Sequence, residues 1–467
     1  MIDGLKPYPE YKDSGSQWLG TVPVHWKVRS LRTLIRKRAE RDHPDLPLLS
    51  VAREKGVFVR SLTDENENHN VIPEDLTNYK VARAGNLVIN KMKAWQGSMG
   101  VAPCDGIVSP AYFVFDFDIE NHAFGQALLR SKPYVAHFGQ ASDGVRVGQW
   151  DLSVAGMRQI PVLVPDANEQ AAIVRFLDWA SGRLERAIRA KRKVIALLNE
   201  QKQAIIHRAV TRGLDPTVPL KPSGIQWLGD IPAHWEIRPF VRCAIERADY
   251  RGATPEKVES GVFLVTAKNI RMGWIDYESS KEYVRVDHYQ RIMRRGLPRL
   301  GDILLTTEAP LGHAALVDRE DIALAQRIIR FRLNACVIRP SFALLATTSK
   351  YFQDQLAVRA TGSTAHGIKA SKLPQLQLLL PATREQEQIE QFLNVELRPL
   401  HDAVSRTERE LVLLREYRTR LVADVVTGKL DVREASARLP EEAAPEIAED
   451  VTDPSVDPEA VDEEAVV

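Results

Sequence analysis

Ser14 to Trp26 reads SGSQWLGTVPVHW, and Ser223 to Trp235 reads SGIQWLGDIPAHW. Nine of these thirteen positions are identical at an offset of 209. A second pair of like segments follows. Pro165–Asp215 aligns without gaps to Pro381–Asp431 at an offset of 216, with fifteen of fifty-one positions identical. Among them are Glu169/Glu385, Gln170/Gln386, Ile173/Ile389, Phe176/Phe392, Leu198/Leu414 and Thr211/Thr427. The order is short motif, variable region, long segment, and the same again. Internal repetition of this kind takes precedence in reading a fold. The variable regions, roughly 27–164 and 236–380, share little obvious sequence. One scaffold presenting two different surfaces fits this pattern; a duplicated protein whose halves merely drifted is the plain alternative.

The long repeated segments read as helices. From Asn168 to Arg212 there is no proline, and alternating steps of four and three pick out Ile173, Leu177, Ala180, Leu184, Ala187, Lys191, Val194, Leu198, Gln201 and Ile205, an imperfect a/d stripe. The second copy gives Ile389, Leu393, Leu400, Ala403, Leu414 and Leu421. Pro399 removes a helix hydrogen bond, and Ser181-Gly182 is weak for a helix. Each segment is therefore expected to be a short helix, a break near 180 or 397, and a rod of about 45 Å. Two such rods bury their stripes most simply against each other, antiparallel.

The variable regions are strand-rich. Val57–Val59, Asn86–Ile89, Tyr112–Phe115 and Ile160–Val164 read as strands in the first, and Val262–Val265, Asp302–Leu305 and Ile328–Arg332 in the second. The expected division is a first domain at 1–164, a helical spacer at 165–215, a second domain at 216–380, a second spacer at 381–433, and an acidic disordered tail at 434–467.

Composition narrows the function. The chain of 467 residues carries 63 Lys+Arg and 62 Asp+Glu, a net of +1. Eleven acids and no Lys or Arg lie in Glu441–Val467, so residues 1–440 hold 63 bases against 51 acids, a net of +12. A moderately basic body with an acidic appendage fits a polyanionic partner. No apolar run reaches the roughly 18 residues of a membrane span. The N-terminus lacks the apolar core of a signal peptide, so a cytoplasmic location is expected. Cys104, Cys243 and Cys336 form no CxxC pair and read as small core residues.

Signatures of catalysis are missing: no phosphate loop, no GxGxxG after a strand, no GxSxG elbow and no HExxH. His25 and His234 repeat beside Trp26 and Trp235 and are expected to pack or cap rather than to catalyse. No Cys or His stands at ligand spacing near them, so no metal is expected. What remains is basic residues interleaved with aromatic and amide side chains on loops. In the first domain these are Lys91, Lys93, Trp95 and Gln96, then Ser109 and Tyr112, then Arg146 and Gln149. In the second they are Lys268 and Arg271, Thr306 and Thr307, Gln326 and Arg327, and Thr364, His366 and Lys369. Arg, Lys, Gln and Asn read base edges, and Ser, Thr and Lys hold phosphates. Solvated basic loops are common, so each cluster alone is weak; two such domains on a basic body say more.

Taken together, the chain up to about residue 433 resembles the DNA-specificity subunit of a type I restriction–modification system. The resemblance is carried by the duplicated openings at 14–26 and 223–235, the Pro-x-x-x-Glu-Gln starts at Pro165–Gln170 and Pro381–Gln386, and the helix ends at Thr211–Asp215 and Thr427–Asp431. GIVSPAY at Gly106–Tyr112, GDILLTTEAPLG at Gly301–Gly312 and ALAQR at Ala323–Arg327 add to it. It implies an α+β protein with two mixed, strand-rich target-recognition domains. Two long helices, packed as an antiparallel coiled coil, separate them in a pseudo-twofold tandem repeat. It further implies that each domain reads one half of a bipartite site in double-stranded DNA, and that the helices set the gap and dock two methyltransferase (modification) subunits. Restriction subunits would join, with S-adenosylmethionine, ATP and Mg on the partner chains and none here. The family supplies no catalytic residue, and its members live in the cytoplasm of bacteria or archaea. A coiled-coil scaffold without a DNA role, and a fused DNA methyltransferase or nuclease, are the alternatives.

Overall fold

The computed structural model describes residues 5–61, 75–146, 149–251, 254–325, 327–361 and 367–440. The acidic tail from 441 onward lies outside the described residues. The chain divides into two compact units: Met1–Ala190 with Leu411–Val467, and Lys191–Glu410.

The first unit is built on a four-stranded antiparallel sheet. Its strands are β1 (Ile35–Arg38), β2 (Leu87–Asn90), β3 (Met99–Val101) and β4 (Tyr112–Phe117), in spatial order β1-β4-β2-β3. Successive side chains of a strand point to opposite faces. Leu87, Ile89, Phe115 and Phe117 thus enter the main core of the unit, while Val88 and Val114 enter a smaller core with Leu49, Val51, Val57 and Val108. This two-sided burial explains why LVIN is an apolar run rather than an alternating one. A strand at Pro161–Val164 pairs antiparallel with Lys27–Ser30, which draws the end of the variable region back to the Trp26 motif.

The helix α1 follows at Ala167–Arg212, 46 residues without interruption. Its counterpart α2 spans Thr383–Val426, 44 residues with Pro399 inside. The expected breaks near 180 and 397 are therefore absent. At Pro399 the reason is exposure: the ring and the neighbouring Val395 face solvent, so water can take the carbonyl that proline leaves unpaired. In the first unit, Ile173, Phe176, Leu177, Ala180 and Leu184 of α1 share a core with Leu421, Val425 and Val426 of α2. The second unit packs the other halves: Ile206, Ala209 and Val210 of α1 with Ile389, Leu393 and Leu397 of α2. Early residues of one helix meet late residues of the other, so the pair is antiparallel, as expected. Burial of these apolar stripes, at about 25 cal/mol per Å², is what holds the rods together.

The second unit repeats the plan. Its sheet has β5 (Ala244–Asp249), β6 (Ile303–Thr307), β7 (Leu311–Leu316) and β8 (Ile328–Leu333), in order β5-β8-β6-β7. Ile303, Leu305, Ile329 and Phe331 face the main core, and Leu304 and Ile328 a second one. The strand Gln377–Leu380 pairs with Glu236–Pro239. The layer over the second face differs from the first unit: here a three-stranded sheet contains a parallel pair, Val262–Val265 with Ile322–Leu324.

The repeated short motifs fasten each unit to its helix ends. His25 Nε2 lies 2.8 Å from Glu169 Oε2 at the start of α1, and His234 Nε2 lies 2.9 Å from Glu385 Oε2 at the start of α2. Gln170 donates to the carbonyl of Pro165 at 2.8 Å and accepts from the amide of Asn121; Gln386 donates to Pro381 at 2.9 Å and accepts from the amide of Arg339. Each helix ends on a left-handed glycine, Gly213 with φ 71° and Gly428 with φ 75°. Gly213 packs under Trp235, and Gly428 under Trp26. Each histidine thus ties its motif to the helix start through a glutamate side chain.

The residues just after Asp431 belong with the first unit. A short helix at Arg433–Ala437 buries Ser436, and Arg175 donates to the carbonyl of Leu439 at 2.8 Å. Residues 434–440, expected to belong to the tail, thus pack on the first unit.

Candidate nucleic-acid interface

Three loops of the first unit that look unrelated in sequence come together. Tyr112 is paired with Asn90 across β4 and β2. Lys80 donates its ammonium to the carbonyls of Pro110 and Tyr112, 2.6 Å each. The amide of Leu152 reaches the carbonyl of Lys91 at 2.9 Å, and the Lys91 ammonium meets Asp151 at 3.0 Å. Trp95 and Trp150 bring their ring centroids to 5.1 Å. Trp95 also donates its indole N–H to the Met92 carbonyl at 3.1 Å. The face so formed is basic and aromatic.

Its members play unequal parts. Lys93 and Gln96 are half-buried beside Trp95. Ser109 has its hydroxyl 3.4 Å from the amide of Ala111, inside the turn. Arg146 and Gln149 pair in the hairpin Ser142–Arg146/Gln149–Leu152, and their side chains lie outside the described residues. Three cations absent from the sequence reading border this face: Lys37, Arg41 and Lys80. Burial first, then the charges of Arg41, Lys37 and Lys91, hold the Lys80 ammonium below its ordinary value. The run IRKR at Ile35–Arg38 was the available signal, since a strand that carries three consecutive cations has an exposed edge.

In the second unit, Thr306 and Thr307 do not face a partner. Both are buried in β6. The Thr306 hydroxyl accepts from the amide of His313 at 2.9 Å, and the Thr307 hydroxyl donates to the carbonyl of Arg327 at 3.1 Å. They shape the neighbouring loops, because a strand at the centre of a two-sided core leaves no face open. What they shape is useful. Arg327, at φ 71°, sets its guanidinium 3.1 Å from Glu308, and the amide of Ile368 bonds to Thr307. Arg327 and the exposed Lys369 thus share one neighbourhood. Gln326, Thr364 and His366 lie outside the described residues.

Lys268 and Arg271 sit on a separate loop, beside β7. Asn269, wholly buried, accepts from the amide of Thr266 and donates to the carbonyls of Asp276 and Ser280, each at 2.9 Å. His313 meets the carbonyl of Ile270 at 2.9 Å. The loop is rigidly seated, with Lys268 exposed at its tip and Arg271 3.4 Å from Asp276.

Other chemistry is not assembled here. Among the described residues, no group of three or more His, Cys, Asp or Glu side chains is placed to hold a metal ion. Burial pushes the Cys243 thiol up to about 11, which makes it a poor nucleophile. Cys243 is a core residue as expected, whereas Cys104 is half-buried and Cys336 is exposed. No helix among the described residues is long and apolar enough to cross a membrane.

Residues 294–398, which include three strands of the second sheet and the start of α2, match the family model described as type I restriction modification DNA specificity domain. The matched stretch contains GDILLTTEAPLG at Gly301–Gly312, ALAQR at Ala323–Arg327 and the helix start at Pro381–Gln386. One chain from a solved structure of a type I restriction–modification system, concerned with complex assembly and conformational transition, shares the fold. The TM-score is 0.59 at 13% identity, over 87% of this chain and 98% of that one. The HsdS subunit of Thermoanaerobacter tengcongensis aligns at 14% identity over 87% of this chain and 96% of its own, with a TM-score of 0.41. No curated protein matches the sequence.

Proposed function

We propose that this chain is the DNA-specificity subunit of a type I restriction–modification complex, non-catalytic in itself, with each unit reading one half of a bipartite site. One observation carries the reading: a single sheet plan occurs twice, β1-β4-β2-β3 and β5-β8-β6-β7, with the same fastening to the helices but different loop faces. A duplication that keeps its frame and varies its loops is what two half-site readers on one ruler require. The helix pair then sets the gap and docks two modification subunits, and restriction subunits join them in the bacterial or archaeal cytoplasm. S-adenosylmethionine, ATP and Mg belong to those partners. The cations of the loop faces fit a partner held through phosphates and base edges.

Mapping methylated adenines in the host genome tests this directly. The expected result is a split motif with a constant gap. Lys93→Ala or Arg146→Ala should relax one half of the motif, and Arg327→Ala or Lys369→Ala the other. Loss of both halves alike in Arg327→Ala would overturn the division of labour.

A further inference from the structure

The strand registers lay the chain over itself residue by residue. Across β1 and β4, Lys37 faces Phe115; across β5 and β8, Arg247 faces Phe331. The same two phenylalanines pair with Leu87 and Ile303 on the next strand. Lys37 and Arg247 are therefore equivalent residues on equivalent edge strands. Arg41 and Arg251 follow at the same spacing along the chain, a second matched pair. The short repeated motifs stop well before these positions, so sequence alignment does not reveal the match.

These cations are poorly neutralised. The side chains of Lys37, Arg41 and Arg247 are exposed and make no hydrogen bond or ion pair among the described residues. In the second unit, Arg247, Arg251 and Arg295 line an open cleft with Asp249 as its one acid. Arg251 holds Asp249 with its guanidinium, and Arg295 turns to the backbone carbonyls of Asp249 and Arg251. One carboxylate thus stands against three guanidiniums. Solvated surface charge would account for one such group. It does not account for the same placement on two domains whose loops and charges otherwise differ. Like charges held together on a rigid sheet edge repel, and a polyanion relieves that repulsion while releasing its own counterions.

We infer that the outer edge of each sheet is a clamp for DNA phosphates, formed by Lys37 and Arg41 in the first unit and by Arg247, Arg251 and Arg295 in the second. The clamps set register and supply affinity independent of sequence, and leave discrimination to the loops. This rests on the DNA-reading function proposed above and adds the part of the surface that holds the backbone.

The test measures binding of the full chain to two duplexes, one carrying the mapped split motif and one scrambled, across a range of KCl concentrations. The Arg247→Ala/Arg295→Ala variant should weaken both duplexes alike, keep their affinity ratio, and lower the slope of log K against log salt by about 2. Lys37→Ala/Arg41→Ala should do the same from the other unit, and Arg247→Lys should keep the slope. An unchanged slope with binding intact, or a lost ratio with the slope kept, would overturn the clamp while leaving the recognition function standing. A wild-type chain that bound neither duplex would overturn the recognition function itself.

Discussion

In the first unit, Arg38 Nε meets both oxygens of Asp116 at 2.7 and 2.9 Å, and the Asn86 amide adds a bond to the same carboxylate at 3.2 Å. The register places Arg332 in the second unit where Asp116 stands, Asp302 where Asn86 stands, and Arg330 where Val114 stands. There, Arg330 is wholly buried and bonds Asp302 at 2.7 Å, while Arg332 meets the same carboxylate at 2.9 and 3.0 Å. Glu246 closes the network from β5. One sheet therefore carries opposite charges at matched positions. The apolar face toward the helices is what both copies keep. The other positions are free to invert as long as each buried charge finds its opposite, because an unpaired one is costly. That is how two domains lose visible sequence likeness and keep one fold.

The repeated motif shows the same freedom on a smaller scale. Glu169 accepts from the Tyr8 hydroxyl at 2.7 Å as well as from His25, and the indole N–H of buried Trp26 has no partner among the described residues. At the offset of 209, the second copy has Thr217 in place of Tyr8. There the Trp235 indole donates to Glu385 at 3.0 Å. One carboxylate keeps two donors in each unit, but the second donor differs.

Substitutions at matched positions should separate the units. The largest difference is expected at Asp302. Asp302→Ala strips the buried Arg330 guanidinium and the partly buried Arg332 guanidinium of a shared carboxylate and should cost about 3–5 kcal/mol. Asn86→Ala removes one neutral amide and should cost about 1 kcal/mol. Hydrogen exchange of β6 and β2 reads each unit separately; equal costs would mean that the second unit does not depend on its buried charges.

Next come the helix ends. A Cβ at Gly428 would lie 2.5 Å from Pro23 Cδ, whereas at Gly213 the nearest atoms are 3.3 Å away. Both positions carry the left-handed strain of about 1 kcal/mol, so Gly213→Ala should cost about that much and Gly428→Ala about 2–3 kcal/mol. Thermal melting of the two variants checks the order.

A smaller gap is expected at the tryptophans. Both Trp→Phe changes lose volume, but only Trp235→Phe loses a bond to a carboxylate. It should be the worse by about 1–2 kcal/mol in denaturant unfolding.

The smallest effect is on pH. Burial disfavours the Asp431 carboxylate, but the Arg433 guanidinium outweighs it and holds the group below the ordinary range. A depressed carboxyl contributes stability that is present above its unfolded value, about pH 4, and is lost as pH falls through the folded one. The bridge between Lys6 and Asp431 should therefore loosen under acid. Faster exchange of the Asp431 amide at low pH, absent in Asp431→Asn, is the outcome to look for.

Much of the architecture was legible from periodicity. The duplication, the strands at 57–59, 86–89, 112–115, 160–164, 262–265, 302–305 and 328–332, and the antiparallel helix pair all correspond to elements of the structure. These depend on local spacing and on apolar burial, which a sequence records directly. The breaks at 180 and 397 were misread because propensity rules count the cost of Gly and Pro but not the packing that outweighs it. Among the loop candidates, Lys91, Trp95 and Tyr112 come together on one face, whereas Thr306 and Thr307 are buried in β6. Whether a threonine faces a core or a solvent-filled groove depends on which layer covers the strand, and that layer differs between the units.

Repeat, class and helix pairing thus follow from the order of residues alone, because they are set by contacts within one strand, one helix stripe or one short motif. The match of Lys37 with Arg247, the inverted charges at Asp116 and Arg332, and the exchange of Tyr8 for Trp235 were decided only when the chain closed on itself. Each depends on cross-strand register or on contacts between residues more than a hundred positions apart, and neither spacing nor composition encodes those.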